Sequence, residues 1–82
     1  MLAAQVQGSA SYDLKSGTLY SPLAGMASIT VYDMRGQAVQ RLNAHVQAGS
    51  QSLSLRLPGR GVYLMRIQVE GQNLGAQRLL WR

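Results

Sequence analysis

The sequence predicts a small all-β fold, a sandwich or a barrel. Two observations carry that expectation. Apolar residues recur with a period of two, and turn residues interrupt the chain at about 8–12-residue spacing. Candidate strands span 2–7, 10–14, 18–23, 27–34, 37–46, 51–57, 62–70 and 73–81. The first two, on either side of Gly8, also fit one bent strand. The run 18–23 lies between Ser16-Gly17 and Ala24-Gly25. In 27–34, Ile29 and Val31 point one way and Thr30 and Tyr32 the other. The run 37–46 contains good helix formers, but turn glycines flank it and it fits a strand as well. In 51–57, Leu53, Leu55 and Leu57 alternate with Ser54 and Arg56, and Pro58 ends the run because it cannot donate to a ladder. Tyr63, Met65, Ile67 and Val69 share one face of 62–70, opposite Arg66 and Gln68. Another turn is expected at Gly71-Gln72-Asn73. In 73–81, Leu79 and Trp81 fall on the core phase, against Arg78, Leu80 and Arg82.

The best-specified turn is Asp33-Met34-Arg35-Gly36. An Asp at the first position of a type I turn accepts backbone N–H groups, and a Gly at the fourth tolerates positive φ. This is the three-residue hairpin loop closed by a glycine bulge, whose twist suits the flanking strands.

Residues 1–82 fit one domain with a thin core, since a chain this short buries only about 60% of its extended surface. Hydrophobic residues make up 46%, which argues against a disordered tail. There is no cysteine, hence no disulfide and no thiolate ligand. The formal net charge is +5, from Lys15 and seven arginines against Asp13, Asp33 and Glu70. No two basic residues are adjacent, whereas nucleic-acid binding usually shows a cluster or stripe. They read as solvated faces, and nucleic acid is not an expected partner. No window approaches the ~20 apolar residues of a membrane span, so membrane insertion is not expected either. The start, Met1 to Gln7, has neither a basic nor a long apolar leader region. The expected context is therefore a piece of a longer chain, with Met1 an expression start.

Reactive chemistry is scarce. The single His45 lacks a nucleophile-elbow pattern and reads as a surface residue. The three carboxylates are scattered over separate segments, and one His without Cys makes no zinc site. No catalytic residue, cofactor or metal is expected. Tyr63 and Trp81 read as core. Tyr20 and Tyr32 read as outward-facing residues on neighbouring strands, a cross-strand pair or a small binding patch.

Two phrases carry more. Ile29-Thr-Val-Tyr-Asp-Met-Arg-Gly-Gln-Ala-Val39 is followed by Gly61-Val-Tyr-Leu-Met-Arg-Ile67, and Gln77-Arg-Leu-Leu-Trp-Arg82 closes the chain. In order and spacing, residues 18–82 resemble the C-terminal sorting domain of type IX secretion cargo, the Por secretion tail. The resemblance implies an Ig-like antiparallel β-sandwich of about seven strands. It also implies a non-catalytic module that directs a cargo, joined upstream in cis, to an outer-membrane translocon. A sortase-like peptidase is a further implied partner. The implied location is the periplasm in transit, then the cell surface or the exterior. Tyr32, Asp33 and Gly36 match the family's hairpin motif, Gly61 and Tyr63 its Gly-x-Tyr strand, and Gln77 to Arg82 its last strand. Departures are Gln37 and Gln77 where the family prefers basic residues, the bulky Trp81, and the missing Asn-Pro opening.

An edge strand offers unpaired backbone groups that a partner can extend. The run 73–81, with Arg78, Leu79, Leu80 and Arg82, is therefore the expected recognition surface. The alternative is a carbohydrate-binding or purely structural Ig-like module appended to a secreted enzyme, with Tyr20 and Tyr32 as the glycan patch. Whichever holds, the turn chemistry makes Gly36→Val destabilising through backbone strain, and thermal unfolding of the variant measures the loss.

Overall fold

The computed structural model describes residues 9–82. The expected strand 2–7 lies outside them. The architecture is all-β: β1 (Ser11–Asp13), β2 (Thr18–Ser21), β3 (Gly25–Tyr32), β4 (Ala38–Val46), β5 (Gly49–Ser52), β6 (Gly61–Val69) and β7 (Gln72–Trp81). Two antiparallel sheets form, one ordered β1-β2-β5 and one ordered β4-β3-β6-β7. They face each other as a sandwich. The period of two thus reports the fold correctly.

The larger sheet supplies most of the core. Ala27, Ile29 and Val31 on β3 stand beside Met65, Ile67 and Val69 on β6, all buried. Leu19 and Tyr12 face them from the smaller sheet. Each fully buried aliphatic side chain contributes about 1.5–3 kcal/mol relative to exposure.

The hairpins match their chemistry. Between β3 and β4, the Asp33 N–H donates to Gln37 O at 2.9 Å and the Gly36 N–H to Asp33 O at 3.0 Å. Asp33 Oδ1 accepts the N–H groups of Arg35 and Gln37 at 2.9 and 3.0 Å. Gly36 has φ 87°, as the expected glycine bulge requires, and a further irregularity shifts the ladder between Val31 and Tyr32, where the partners step from Gln40 to Ala38 past Val39. An L side chain at that φ costs about 1–2 kcal/mol. The turn after β6 is tighter than expected. It consists of Glu70 and Gly71 alone, with φ 51° and 79°, as a two-residue type I′ hairpin requires. The Glu70 side chain then folds over Gly25 and accepts the Met26 N–H at 2.7 Å. A Cβ at position 25 would lie 2.3 Å from Glu70 Cγ, so only Gly admits this carboxylate.

One expected strand is shorter. The run 51–57 pairs only as β5, because β2 begins at Thr18 and offers no partner beyond Ser52. Leu53, Leu55 and Leu57 still alternate into the core as half-buried residues. Their backbone is held by other means. The Leu53 N–H donates to Gly17 O at 2.8 Å, the Tyr12 hydroxyl donates to Leu53 O at 2.6 Å, and the Arg56 N–H donates to Gln40 Oε1 at 2.9 Å.

Both edges of the larger sheet are tied across in this way. Gln40 on edge strand β4 pairs with inward-facing Val31, and Gln77 on edge strand β7 pairs with inward-facing Met65, so both glutamines point inward. Gln40 reaches Arg56. Gln77 Oε1 accepts the Tyr12 N–H at 2.8 Å, and Gln77 Nε2 donates to Tyr12 O at 2.6 Å. The Ala10 N–H adds a bond to Leu74 O at 3.2 Å.

Replacing Gln77 with Leu leaves two Tyr12 backbone groups without partners, and urea unfolding is expected to show a loss of about 1–3 kcal/mol. Gln40→Leu removes one bond and is expected to cost less. Equal costs would remove the special role of Gln77. A second expectation concerns pH. Burial pushes the Tyr12 phenol above its ordinary 10.0, the Leu55 main chain opposes that, and the Asp13 charge adds to it. The folded state therefore favours the neutral phenol. That stabilisation is full below pH 10 and is lost as pH rises through the higher folded value. The thermal midpoint is expected to fall more steeply above pH 10 in the parent chain than in Tyr12→Phe.

Candidate functional site

The outer face of the larger sheet collects residues that are far apart in sequence. Tyr32 on β3 pairs with Leu64 on β6, and Leu64 pairs with Arg78 on β7. One step along, Val62 pairs with Leu80. In the other direction Thr30 lies between Arg41 on β4 and Arg66 on β6. Paired residues share a face, and all of these point away from the core. Leu64 is 44% exposed and Leu80 is 52% exposed. Met34, at the hairpin tip, is the most exposed large apolar side chain. A shallow cleft of about 560 Å³ runs between the hairpin and β6, bounded by Tyr32, Met34, Val62, Leu64 and Arg78.

The expected motif residues divide into two roles. Asp33 and Gly36 build the turn that presents Tyr32 and Met34. Tyr63 is buried and its hydroxyl donates to Gly59 O at 2.6 Å, fastening the loop before β6. Ig-like sandwiches use a comparable tyrosine corner. Gly61 opens β6 opposite Trp81. Of the last-strand residues, Arg78 and Leu80 face outward and Arg82 is exposed beyond the strand end. Leu79 is 3% exposed and packs in the core, so its side chain is not available to a partner.

Two aromatic expectations are corrected. Trp81 is 42% exposed rather than core. It closes the last rung of the β6–β7 ladder opposite a glycine, at the rim of the sandwich, where it lines an open cleft with Leu14 and Lys15. Tyr20 and Tyr32 are not on neighbouring strands. Tyr20 lies on β2 in the smaller sheet and Tyr32 on β3 in the larger, so they form neither a cross-strand pair nor one glycan platform.

Leu64, Arg66 and Arg41 were not singled out by sequence reasoning. The alternation on β6 already placed Leu64 and Arg66 on the polar phase. What it lacked was the register that sets them beside Tyr32 and Arg78. His45 is exposed on β4, opposite Met26. Among the described residues, no group of three or more metal-ligating side chains comes together, and no helix is long and apolar enough to cross a membrane.

The chain matches the family model described as a secretion system C-terminal sorting domain, the Por secretion tail, over residues 13–80. The match begins five residues before the resemblance seen in the sequence, so it takes in the β1–β2 turn as well. No curated protein matches the chain, and no solved structure does. The match spans most of the chain and both of the motif phrases that build the outer face, and on that basis the chain belongs to the C-terminal sorting domain family of type IX secretion.

Proposed function

We propose that the domain is a non-catalytic address tag, read in the periplasm by an outer-membrane translocon that then exports the cargo joined upstream. Family membership supports a sorting role in type IX secretion and a carrier protein that ends at the cell surface or outside the cell. In this reading a sortase-like peptidase acts on the tag after export. The recognised surface is the outer face of the β4-β3-β6-β7 sheet at its hairpin end, continuing along β7 through Arg78, Leu80 and Arg82. Leu79 anchors that strand to the core.

The observation that carries this reading is the row Tyr32–Leu64–Arg78. It joins the hairpin motif, the Gly-x-Tyr strand and the last strand into one surface. Motifs separated by tens of residues meet where one partner can touch all three. Edge strand β7 adds backbone groups beyond Gln77 that a partner strand can extend.

Export of a reporter fused upstream of residues 1–82, in a host with the secretion system, tests the proposal. The intact tail is expected to bring the reporter to the medium or the surface. Deleting residues 79–82 is expected to abolish export. Because that deletion also removes buried Leu79, Leu80→Ser serves as the fold-preserving variant and is expected to lower export about tenfold, a typical cost for an apolar docking residue. A reporter that stays in the periplasm with the intact tail, or export unchanged by both variants, would sink the reading.

A further inference from the structure

The three carboxylates of this chain are all committed to its own backbone. Asp13 accepts the Lys15 N–H at 3.1 Å and the Ser16 hydroxyl at 3.0 Å. Asp33 holds its turn through Arg35 and Gln37. Glu70 is bound to the Met26 N–H. The one ion pair among the described residues is Arg35 to Asp33 at 3.9 Å, within the hairpin. Arg41, Arg66 and Arg78 have no carboxylate partner.

Those three are also the only arginines that lie in strands, and all three lie on one face. Arg41 and Arg66 flank Thr30, so their Cα atoms sit two strand spacings apart, about 10 Å. Arg78 lies one rung further along, beside Leu64. The outer face of the smaller sheet carries no Lys or Arg in its strands. Three of the eight basic residues, dispersed along the chain, are therefore brought to a single surface by strand register, and among the described residues no carboxylate neutralises them.

Next to these arginines lies the cleft, walled by half-buried Tyr32 and Val62 and exposed Met34 and Leu64, with exposed Leu80 paired to Val62 beside it. Asp33 also lines the cleft, its carboxylate already engaged by the N–H groups of its own turn. From this juxtaposition we propose that the outer face of the β4-β3-β6-β7 sheet docks an acidic protein segment that carries an apolar anchor. The acidic groups meet Arg41, Arg66 and Arg78, and the anchor seats in the cleft beside Leu64. The inference rests on the sorting reading and gives the chemistry of the partner in it. A nucleic acid fits less well, because among the described residues Tyr32 and His45, at opposite ends of β3 and β4, are the only aromatic rings on this face and single strands need several for stacking. A membrane fits less well because Met34 alone stands at the hairpin tip, while Tyr32, Val62 and Leu64 line a cleft rather than a protruding edge.

A solution titration of the 82-residue chain tests this separately from export, so that a domain that sorts by another surface is told apart from one that does not sort. The probe is a hexapeptide alternating glutamate and leucine, followed by amide chemical shifts. Shifts are expected at Tyr32, Leu64, Arg66 and Arg78, with the counterpart peptide carrying glutamine for glutamate binding at least about fivefold more weakly. Arg41→Gln, Arg66→Gln and Arg78→Gln combined are expected to weaken the acidic peptide at least about tenfold, and added salt to do the same to the parent chain. Leu64→Ser, at an exposed position that leaves the core intact, is expected to weaken both peptides. Equal binding of the two peptides would overturn the proposal. So would shifts confined to the smaller sheet, or tighter binding of polyuridylate or of phosphatidylglycerol vesicles than of the acidic peptide.

Discussion

The structure depends on how a four-stranded sheet closes over a three-stranded one. The wider layer has two edges that the narrower layer cannot cover with strands. Two inward glutamines, Gln40 on β4 and Gln77 on β7, resolve this by bonding directly to backbone of the opposite layer. A side-chain amide carries one donor and one acceptor group, so it can stand in for a missing peptide of a ladder. Gln77 does this at both points on Tyr12. Tyr12 in turn holds Leu53 through its hydroxyl. One chain of hydrogen bonds thus runs from the last strand, through the first strand, to the segment that follows β5. Without a disulfide, these polar ties and the aliphatic core are what keep the two layers in register.

That closure shapes the outer face. With the inner faces and edges occupied, the basic side chains that the strands carry project from the outside of the larger sheet. The acids are drawn elsewhere: Asp13 and Asp33 to N–H groups of their own turns, and Glu70 across to the Met26 N–H at the start of β3. Asp33 and Glu70 sit at opposite ends of the larger sheet. The face between them is left cationic by the same local chemistry that makes the hairpins stable. Charge asymmetry here is a by-product of turn construction that a sorting partner can exploit.

Much of this was legible from residues. A period of two survives any topology, so the strands and the core phase of β3 and β6 could be read directly. The Asp33–Gly36 loop could be read because its residues satisfy a local requirement. What escaped the reading was set by non-local pairing. The run 51–57 has perfect alternation, yet residues 53–57 meet no partner strand because β2 begins only at Thr18. Trp81 has the core phase, yet it lies on a rung where the other layer has stopped. Tyr20 and Tyr32 occupy strands of different sheets, and nothing within either strand says so. The arginine face is the clearest case. Arg41, Arg66 and Arg78 are 25 and 12 residues apart in sequence, and only register brings them together.

Gln77 shows how register changes the meaning of a sequence departure. Its family prefers a basic residue there, and on sequence alone the glutamine looks like a weakened recognition strand. Its pairing with Met65 turns it inward instead, where it closes the sandwich on Tyr12. A lysine at that position could donate to Tyr12 O but could not accept the Tyr12 N–H, since an ammonium has no acceptor. The substitution therefore belongs to the account of stability. The next residues that face outward, Arg78 and Leu80, lie on the same surface as Tyr32. The last strand divides its labour by parity: one side holds the two layers together, and the other faces solvent on the surface proposed for docking.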